Sequence, residues 1–387
     1  MRSADIPLSL YVHWPWCVRK CPYCDFNSHA LTSSYDPSRQ YIDALIHDLK
    51  HSIAYAQNRE LISIFIGGGT PSLIAPQELE RFLETVFSLL KVASDVEITL
   101  EANPGTVDTA HFKAYRSIGI NRLSMGIQSF NDELLKRLGR IHNSEDARKA
   151  IKIAQESFEN FNLDVMFALP GQTLEELKFE LNEAIATQST HLSFYQLTLE
   201  PNTVFAKHIP DNIPDPDVIY QMQDLVVSTL ETAGFEHYEV SGYAKPGKRC
   251  RHNLNYWQFG DYLACGAGAH SKVTLEDGTI IREARFMQPE SYIKHAIKDS
   301  AVAHERVVAK EEQAFEFMLN VLRLREGAPL DLLSERTALS LDDIQPGIAK
   351  AQSLGLMPQP LNRFVTTDKG WDFLSDVQEI FLYGRRA

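Results

Sequence analysis

The sequence predicts an α/β chain built as an open, partial β/α barrel of six units, with a small C-terminal helical module of winged-helix type. Three observations carry this. Short apolar runs alternate with amphipathic stretches through the first half, as parallel strands joined by helices do. Six such units follow one another, too few for the eight of a closed barrel. From about residue 300 the pattern changes to three helices, a brief two-strand signal and a last helix.

Taken in order, the strands are expected at Ser9–Val12, Ile62–Ile66, Val96–Leu100, Arg122–Met125, Leu163–Phe167 and His191–Leu197. Between them lie the helical stretches Tyr41–Ala54, Gln77–Leu90, Thr109–Ser117, Ser144–Ser157 and Leu174–Ala186. In the last of these, Leu174, Leu177, Leu181 and Ile185 recur at three- and four-residue steps and so share one helix face. A further helix over Val218–Ala233 leads into an irregular Gly- and aromatic-rich stretch, Tyr238–His270. The closing helices are expected around Ala309–Leu324, Leu330–Ala338 and Leu341–Leu354, the two-strand signal near Met357–Thr367, and the final helix near Trp371–Phe381. This divides the chain into a barrel at 1–235, a connecting segment at 236–300 and the C-terminal module at 301–387.

The 387 residues hold 38 Lys+Arg against 51 Asp+Glu, a formal net charge of -13, which on average repels a phosphate-rich partner. The C-terminal module also carries more acidic than basic residues and lacks the basic face of a DNA reader. Nucleic acid is therefore an unlikely partner. Five cysteines, three of them clustered, are not a disulfide framework, so a reducing compartment, the cytoplasm, is expected. The N-terminus has no long apolar run, and no stretch approaches bilayer length. Membrane contact is expected to be peripheral at most.

Cys17-Val-Arg-Lys-Cys21-Pro-Tyr-Cys24 packs three thiols into eight residues. Iron–sulfur clusters are normally held by four cysteines, so three would leave one iron open to another molecule. The rival is zinc, which would need a fourth ligand such as His13 or His29. A C-x3-C-x2-C run inside one short loop fits a cluster better than the paired C-x2-C pattern of zinc sites.

The predicted strands place the distinctive polar residues at their carboxyl ends. Gly67-Gly68-Gly69-Thr70-Pro71 follows the second strand, Glu101 the third, Gln128 the fourth and Thr198 the sixth; Asp164 lies within the fifth. The cysteine loop follows the first strand and opens on the same face, the one that binds ligands in α/β barrels. Taken singly, the glycines could be a tight turn, Glu101 a helix cap, Asp164 a salt-bridge partner and Arg140 a surface cation. Alternatively, the glycines expose amide N–H groups to a ligand and the acids accept an ammonium or a hydroxyl.

With the cysteine run and GGGTP together, the chain resembles the radical S-adenosylmethionine (SAM) superfamily. Through YVHWPWCVRKCPYCDFNSH, EANPG, MGIQSF, LGRIHN, DVMFALPGQ and RHNLNYWQFGDYLACGAGAHS it resembles the branch that holds oxygen-independent coproporphyrinogen III oxidase and a group of heme chaperones. The likeness runs from about residue 8 to 272, and the C-terminal module fits that group's closing domain. It implies a 4Fe-4S cluster on Cys17, Cys21 and Cys24, with SAM on the open iron. Tyr11 and Tyr23 would pack near the cofactor. Gly68, Gly69, Thr70 and Glu101 would receive its methionine portion, and Gln128, Arg140, Asp164 and Thr198 would line the rest. No catalytic residue is assigned.

Two departures favour the chaperone group over the oxidase. Phe26 stands where the oxidase pattern has a fourth cysteine, and sixteen residues precede Cys17 where the oxidase has a long extension. His252-Asn253-Leu-Asn-Tyr256-Trp257 resembles the chaperones' heme-binding motif and implies His252 as a heme-iron ligand; on the residues alone it reads as a hydrogen-bonded histidine in a turn. Cys250, two residues from His252, reads as an inert thiol with iron ligation as the alternative, and Cys265 as a small buried residue. The expected function is heme delivery to acceptor proteins, respiratory haemoproteins foremost, with cluster and SAM gating transfer or dimerisation and an electron donor serving the cluster. Coproporphyrinogen oxidation and tRNA modification are the rival functions.

Overall fold

The computed structural model describes residues 3–31, 36–106 and 108–382. Its spine is six parallel strands in chain order: β1 (Leu8–Trp14), β2 (Glu60–Gly68), β3 (Lys91–Ala102), β4 (Arg122–Gln128), β5 (Phe161–Phe167) and β6 (His191–Gln196). Helices α1 (Ser38–Ser52), α2 (Pro76–Leu89), α3 (Thr109–Ser117), α4 (Ser144–Ser157) and α5 (Leu174–Ala186) make the crossovers. The last three begin and end where the periodicity predicts. Local chemistry fixes two of the starts: Asn143 with Asp146, and Thr173 with Glu176, form reciprocal capping boxes.

The strands are buried on both faces along most of their length, as parallel strands covered by crossover helices must be, the first half of β3 excepted. In β1 only Tyr11 is partly open. The main core, with Leu10, Ile64, Leu100, Leu123, Leu163 and Leu192 among its residues, runs along this sheet. No closed barrel forms. The six strands are the centre of a twelve-stranded sheet extended at both edges.

Beyond β6, helix α6 (Pro216–Thr232) is followed by β7 (Glu236–His237) and β8 (Gly242–Ala244), and β8 pairs antiparallel with β6. On the other edge, α7 (Arg251–Trp257) leads to β9 (Asp261–Cys265), which runs parallel to β1. Then β10 (His270–Thr274), β11 (Ile280–Arg285) and β12 (Val302–Val307) add antiparallel strands, with α8 (Pro289–Ala296) between the last two. The expectation of irregular chain over Tyr238–His270 is therefore corrected to strand, helix and strand. These segments carry charge that is neutralised inside the fold: Lys272 pairs with Asp261 at 2.8 Å, and Arg285 with Asp48 at 3.2 Å.

The C-terminal helices α9 (Lys310–Val321), α10 (Leu332–Arg336) and α11 (Leu341–Ser353) enclose a core of their own around Phe317, Ile344 and Phe364. The predicted two-strand signal is one strand, β14 (Arg363–Phe364), pairing back to β13 (Ala328–Pro329). The expected last helix is split into Asp368–Asp372 and Leu374–Glu379. Among the described residues no helix is long and apolar enough to cross a membrane.

Candidate functional site

At the carboxyl ends of the six strands lies a cavity of about 450 Å³. Residues from the loop after β1 and from the loop after β6 both line it, so the open sheet curls around it. Cys17, Cys21 and Cys24 are in its wall, together with Tyr23, Gly68, Gly69, Thr70, Glu101, Gln128, Arg140, Asp164 and Thr198. Tyr11 is not there; it faces a second cavity.

The cysteine loop is tied down by its own backbone and by its neighbours. Trp16–Cys17 pairs in parallel with His29–Ala30, and the Cys24 N–H donates to the Cys21 carbonyl at 3.1 Å. All five cysteines are free thiols. Cys17 Sγ donates to the His29 carbonyl at 3.7 Å, Cys24 Sγ lies 3.5 Å from Ser28 Oγ, and the Arg140 guanidinium donates to Cys21 Sγ at 3.4 Å. Burial, with the neighbouring thiols, pushes the Cys17 thiol up to about 11. A strong cationic centre must therefore be bound to keep it a thiolate. A tetrahedral zinc with Zn–S of about 2.3 Å draws its sulfurs to about 3.8 Å from each other. Among the described residues the one group of three ligand atoms within 4.8 Å is Glu97, Cys250 and His252. The three loop thiols therefore do not all lie within that distance of one another.

The glycine run behaves differently from the expectation that its amides face a ligand. Gly69 N–H donates to the Trp14 carbonyl and Thr70 N–H to the Trp16 carbonyl, both at 2.7 Å, while Gly68 N–H donates to Glu101 Oε2 at 2.9 Å. The amides are spent inside the protein. What the glycines supply is close approach: at Gly68 (φ +117°) a Cβ would meet the Trp14 carbonyl at 2.6 Å, and at Gly69 it would run into the Trp16 carbonyl. The run thus clamps the β2 end against the cysteine loop.

Two carboxyl groups stand in this cavity. Burial, then the charge of Asp164, pushes Glu101 up to about 8. Burial also raises Asp164, which accepts from Ser124 Oγ at 3.0 Å and Asn162 Nδ2 at 2.8 Å. Burial holds both acids above their ordinary range, and a cation beside them would favour their ionised forms. Gln128, at φ +66°, turns its Oε1 to accept from the Tyr195 hydroxyl at 2.7 Å. Arg140 also donates to the Gly126 carbonyl at 2.9 Å, and among the described residues its Nε has no partner. The polar wall formed by Ser124, Ser193 and Tyr195 was not anticipated, although the period-two alternation of β4 and β6 places them inward.

The second cavity, about 470 Å³, is an aromatic cleft between the sheet and the C-terminal module. Tyr11, Phe65, Tyr256, Trp257 and Tyr262 supply its faces, with Asn320 from α9 at the edge. Phe26, Gly68 and Glu101 line both cavities, so the two adjoin. Phe26, where the oxidase pattern has cysteine, is 56% exposed between them.

His252 lines neither cavity. It is buried, and Nδ1 lies 3.4 Å from Glu97 Oε1. Cys250 Sγ is 3.2 Å from Nδ1 and 3.3 Å from Nε2, which puts the sulfur over the ring face, not on the line of either nitrogen's lone pair. Glu97 also accepts the Arg251 N–H at 3.0 Å and the His252 N–H at 3.4 Å. The expectation of His252 as a heme-iron ligand meets a histidine already packed and bonded in the core.

A cysteine triad heading a parallel β/α run, facing an acid-lined cavity, defines a radical SAM protein. The family model of the Radical SAM superfamily matches residues 11–183, and that of the HemN C-terminal domain residues 308–373. The chain is 45% identical over 377 residues to "Heme chaperone HemW" of Escherichia coli, covering 97% of this chain and 98% of that one. It is 45% identical to the protein of the same name in Haemophilus influenzae (97% and 98%), and 36% to that of Bacillus subtilis (88% and 90%). The solved coproporphyrinogen III oxidase (HemN) of Escherichia coli shares the fold, with TM-score 0.83 and 22% identity over 99% of this chain and 91% of that one. The chain belongs to the HemW family of the radical SAM superfamily.

Proposed function

We propose that this chain is a heme chaperone, which holds heme in the aromatic cleft and hands it to acceptor haemoproteins, respiratory ones foremost. The supporting observation is the adjacency of the cleft to the cysteine-lined cavity through Phe26, Gly68 and Glu101, in a chain so similar throughout to relatives bearing that name. The large aromatic faces would cover a porphyrin plane.

The family implies a 4Fe-4S cluster and SAM. Cys17, Cys21 and Cys24 would hold the cluster, with Arg140 balancing thiolate charge at Cys21. Glu101 and Asp164 would meet the SAM ammonium, and Gly68, Gly69 and Thr70 would pack its methionine portion. Tyr23, Gln128 and Thr198 would line the remainder. When bound, the pair supplies one-electron cleavage at the sulfonium, chemistry that belongs to the cofactor. The protein's part is to position the pair, shield it and couple its state to the cleft.

The test is hemin binding by the anaerobically purified chain, followed by transfer to an apo-haemoprotein, with iron and sulfide measured on the same sample. Stoichiometric hemin uptake and passage to the acceptor are expected. Formation of protoporphyrinogen from coproporphyrinogen III under reducing conditions with SAM would overturn the chaperone reading.

A further inference from the structure

Behind the acid-lined cavity lies a run of buried polar side chains. Strand register gathers it: Glu101, Ser124, Asn162 and His191 stand in one row across β3 to β6. Asp164 is two residues beyond Asn162 on β5 and so on the same face. Asp164 lines the cavity, whereas Asn162, His191 and Tyr238 line neither this cavity nor the aromatic cleft. All three are buried.

Starting from Asp164, the partners dictate where each hydrogen in the run sits. An ionised carboxylate only accepts, so the Asn162 amide must turn Nδ2 to Asp164 Oδ1, 2.8 Å away. The same Nδ2 donates to Ser124 Oγ at 2.8 Å, and Ser124 donates to Asp164 Oδ2 at 3.0 Å. That leaves Asn162 Oδ1 facing His191 Nδ1 at 2.7 Å, with Ser193 Oγ donating to the same oxygen at 3.1 Å, so Nδ1 carries the hydrogen. Burial, then the charge of Arg122, holds the His191 pKa well below its ordinary value, so the ring is neutral and Nε2 keeps its lone pair. The Tyr238 hydroxyl, 2.9 Å away, must donate to it. The result is one directed chain from Tyr238 through His191 and Asn162 to Asp164. Its outer end belongs to the turn between β7 and β8, outside the six-strand spine.

We infer that His191, fixed in its Nδ1–H tautomer by Tyr238, is a positioning residue for the ligand taken up at Asp164, acting through the Asn162 amide. The inference rests on the reading that the cavity takes SAM, and adds the residues that hold its acceptor still. With Asn162 and Ser124 each engaging one carboxylate oxygen, the remaining lone pairs of Asp164 are left, already oriented, for a ligand ammonium or hydroxyl. Without the Tyr238 hydroxyl the ring is free to take the Nε2–H tautomer. The amide can then turn over, and its oxygen would repel the carboxylate.

The full chain, reconstituted anaerobically with iron and sulfide, is titrated calorimetrically with SAM as wild type, Tyr238→Phe, His191→Leu and His191→Gln, with iron and sulfide measured on each. His191→Leu is expected to bind SAM about tenfold or more weakly, and Tyr238→Phe about threefold to tenfold more weakly. His191→Gln, whose amide can accept from Tyr238 and donate to Asn162, should recover to within about threefold of wild type. Cluster content should be equal in all four. Nitrogen-15 NMR of the unreconstituted chain, with His191→Gln identifying the signal, should show the Nδ1–H tautomer at His191 and a shift towards Nε2–H in Tyr238→Phe. Full SAM affinity in Tyr238→Phe or in folded His191→Leu overturns the inference. So does an Nε2–H ring in the wild type, an equal loss in the Leu and Gln variants, or a weakening confined to variants that have lost cluster. Should His191→Leu fail to fold, Tyr238→Phe, which lacks a single oxygen, decides alone. Cluster-loaded wild type that binds no SAM sinks the reading of the cavity itself; wild-type SAM binding with unaffected variants sinks only the chain.

Discussion

Phe65 and His252 lie ring on ring, their centroids 4.1 Å apart and their planes 4° from parallel. Phe65 is in the cleft wall and Tyr256 meets His252 edge-on at 6.3 Å, so the His-Asn-x-x-Tyr-Trp segment touches the cleft through aromatic neighbours. Replacing His252 by Ala removes the stack and strips Glu97 of a partner. The expected cost is about 2–4 kcal/mol in the denaturation midpoint. A change below about 0.5 kcal/mol would show that the ring carries no packing load.

Glu97 gives that cluster a pH signature. Burial alone would raise its pKa; hydrogen bonding from His252 and the charge of Arg122 more than offset it and hold the carboxyl down to about 2, against 4.5 ordinarily. A depressed folded-state pKa contributes stability that is complete above 4.5 and is lost as pH falls through about 2. Glu97→Gln should therefore be less stable near neutrality, by about 3 kcal/mol, and should show a flatter stability profile between pH 4.5 and 2. Parallel profiles for the two proteins would refute the assignment.

The six-unit core was legible because β1 to β6 each contain a short apolar run set between helical stretches, and because α3, α4 and α5 carry clean three- and four-residue steps. The outer strands were not. His270-Ser-Lys-Val-Thr and Ile280-Ile-Arg-Glu-Ala-Arg fell within the connecting segment, since nothing local reveals that Lys272 will meet Asp261 or Arg285 will meet Asp48. Pairing of Ala328 with Phe364 is likewise invisible to a local pattern. The cysteine loop and the strand-end acids were legible as a site because topology alone gathers strand ends. The burial of His252 was not, because a motif carries no information about which side of a sheet its helix packs on.

Glu101 predicts how SAM binding responds to pH. Its carboxyl, pushed up to about 8 by burial and then by Asp164, is largely protonated near neutrality in the empty cavity. SAM affinity should rise as pH passes through 8 and the acid ionises, and Glu101→Gln should lose about tenfold to a hundredfold. The same shift costs the ligand-free chain stability as pH climbs from 4.5 to 8, because the unfolded state sheds its proton first. Calorimetric titration of SAM across pH 6.5–9 checks the first part and thermal melts of the variant the second. A pH-independent affinity would remove Glu101 from the ammonium site.

The thiol triad predicts metal content. After anaerobic reconstitution the chain should carry about four iron and four sulfide, and Cys17→Ser, Cys21→Ser or Cys24→Ser should each leave sulfide near background. Zinc in place of iron in the wild type, or a full cluster in any single variant, would contradict the assignment.

Gly69 offers the sharpest test of how the cysteine loop is held. Its N–H donates to the Trp14 carbonyl, and a methyl group at its Cα would run into the Trp16 carbonyl, one residue before Cys17. A clash with backbone is not relieved by a rotamer change, so Gly69→Ala must shift either the β2 end or the loop. The strand is held in the main sheet between β1 and β3, whereas Trp16–Cys17 pairs only with the two-residue strand His29–Ala30, so the loop should move. Cluster assembly is expected to fall several-fold while the melting temperature of the unreconstituted chain drops by only a few degrees. Gly67→Ala serves as the control. There the nearest atom, at 2.8 Å, is the tip of the Phe65 ring and not backbone of the loop, so the strain falls on the cleft wall and cluster content should hold. Equal cluster loss in the two variants would mean that the glycines act on the strand, and that the loop depends on something other than this clamp.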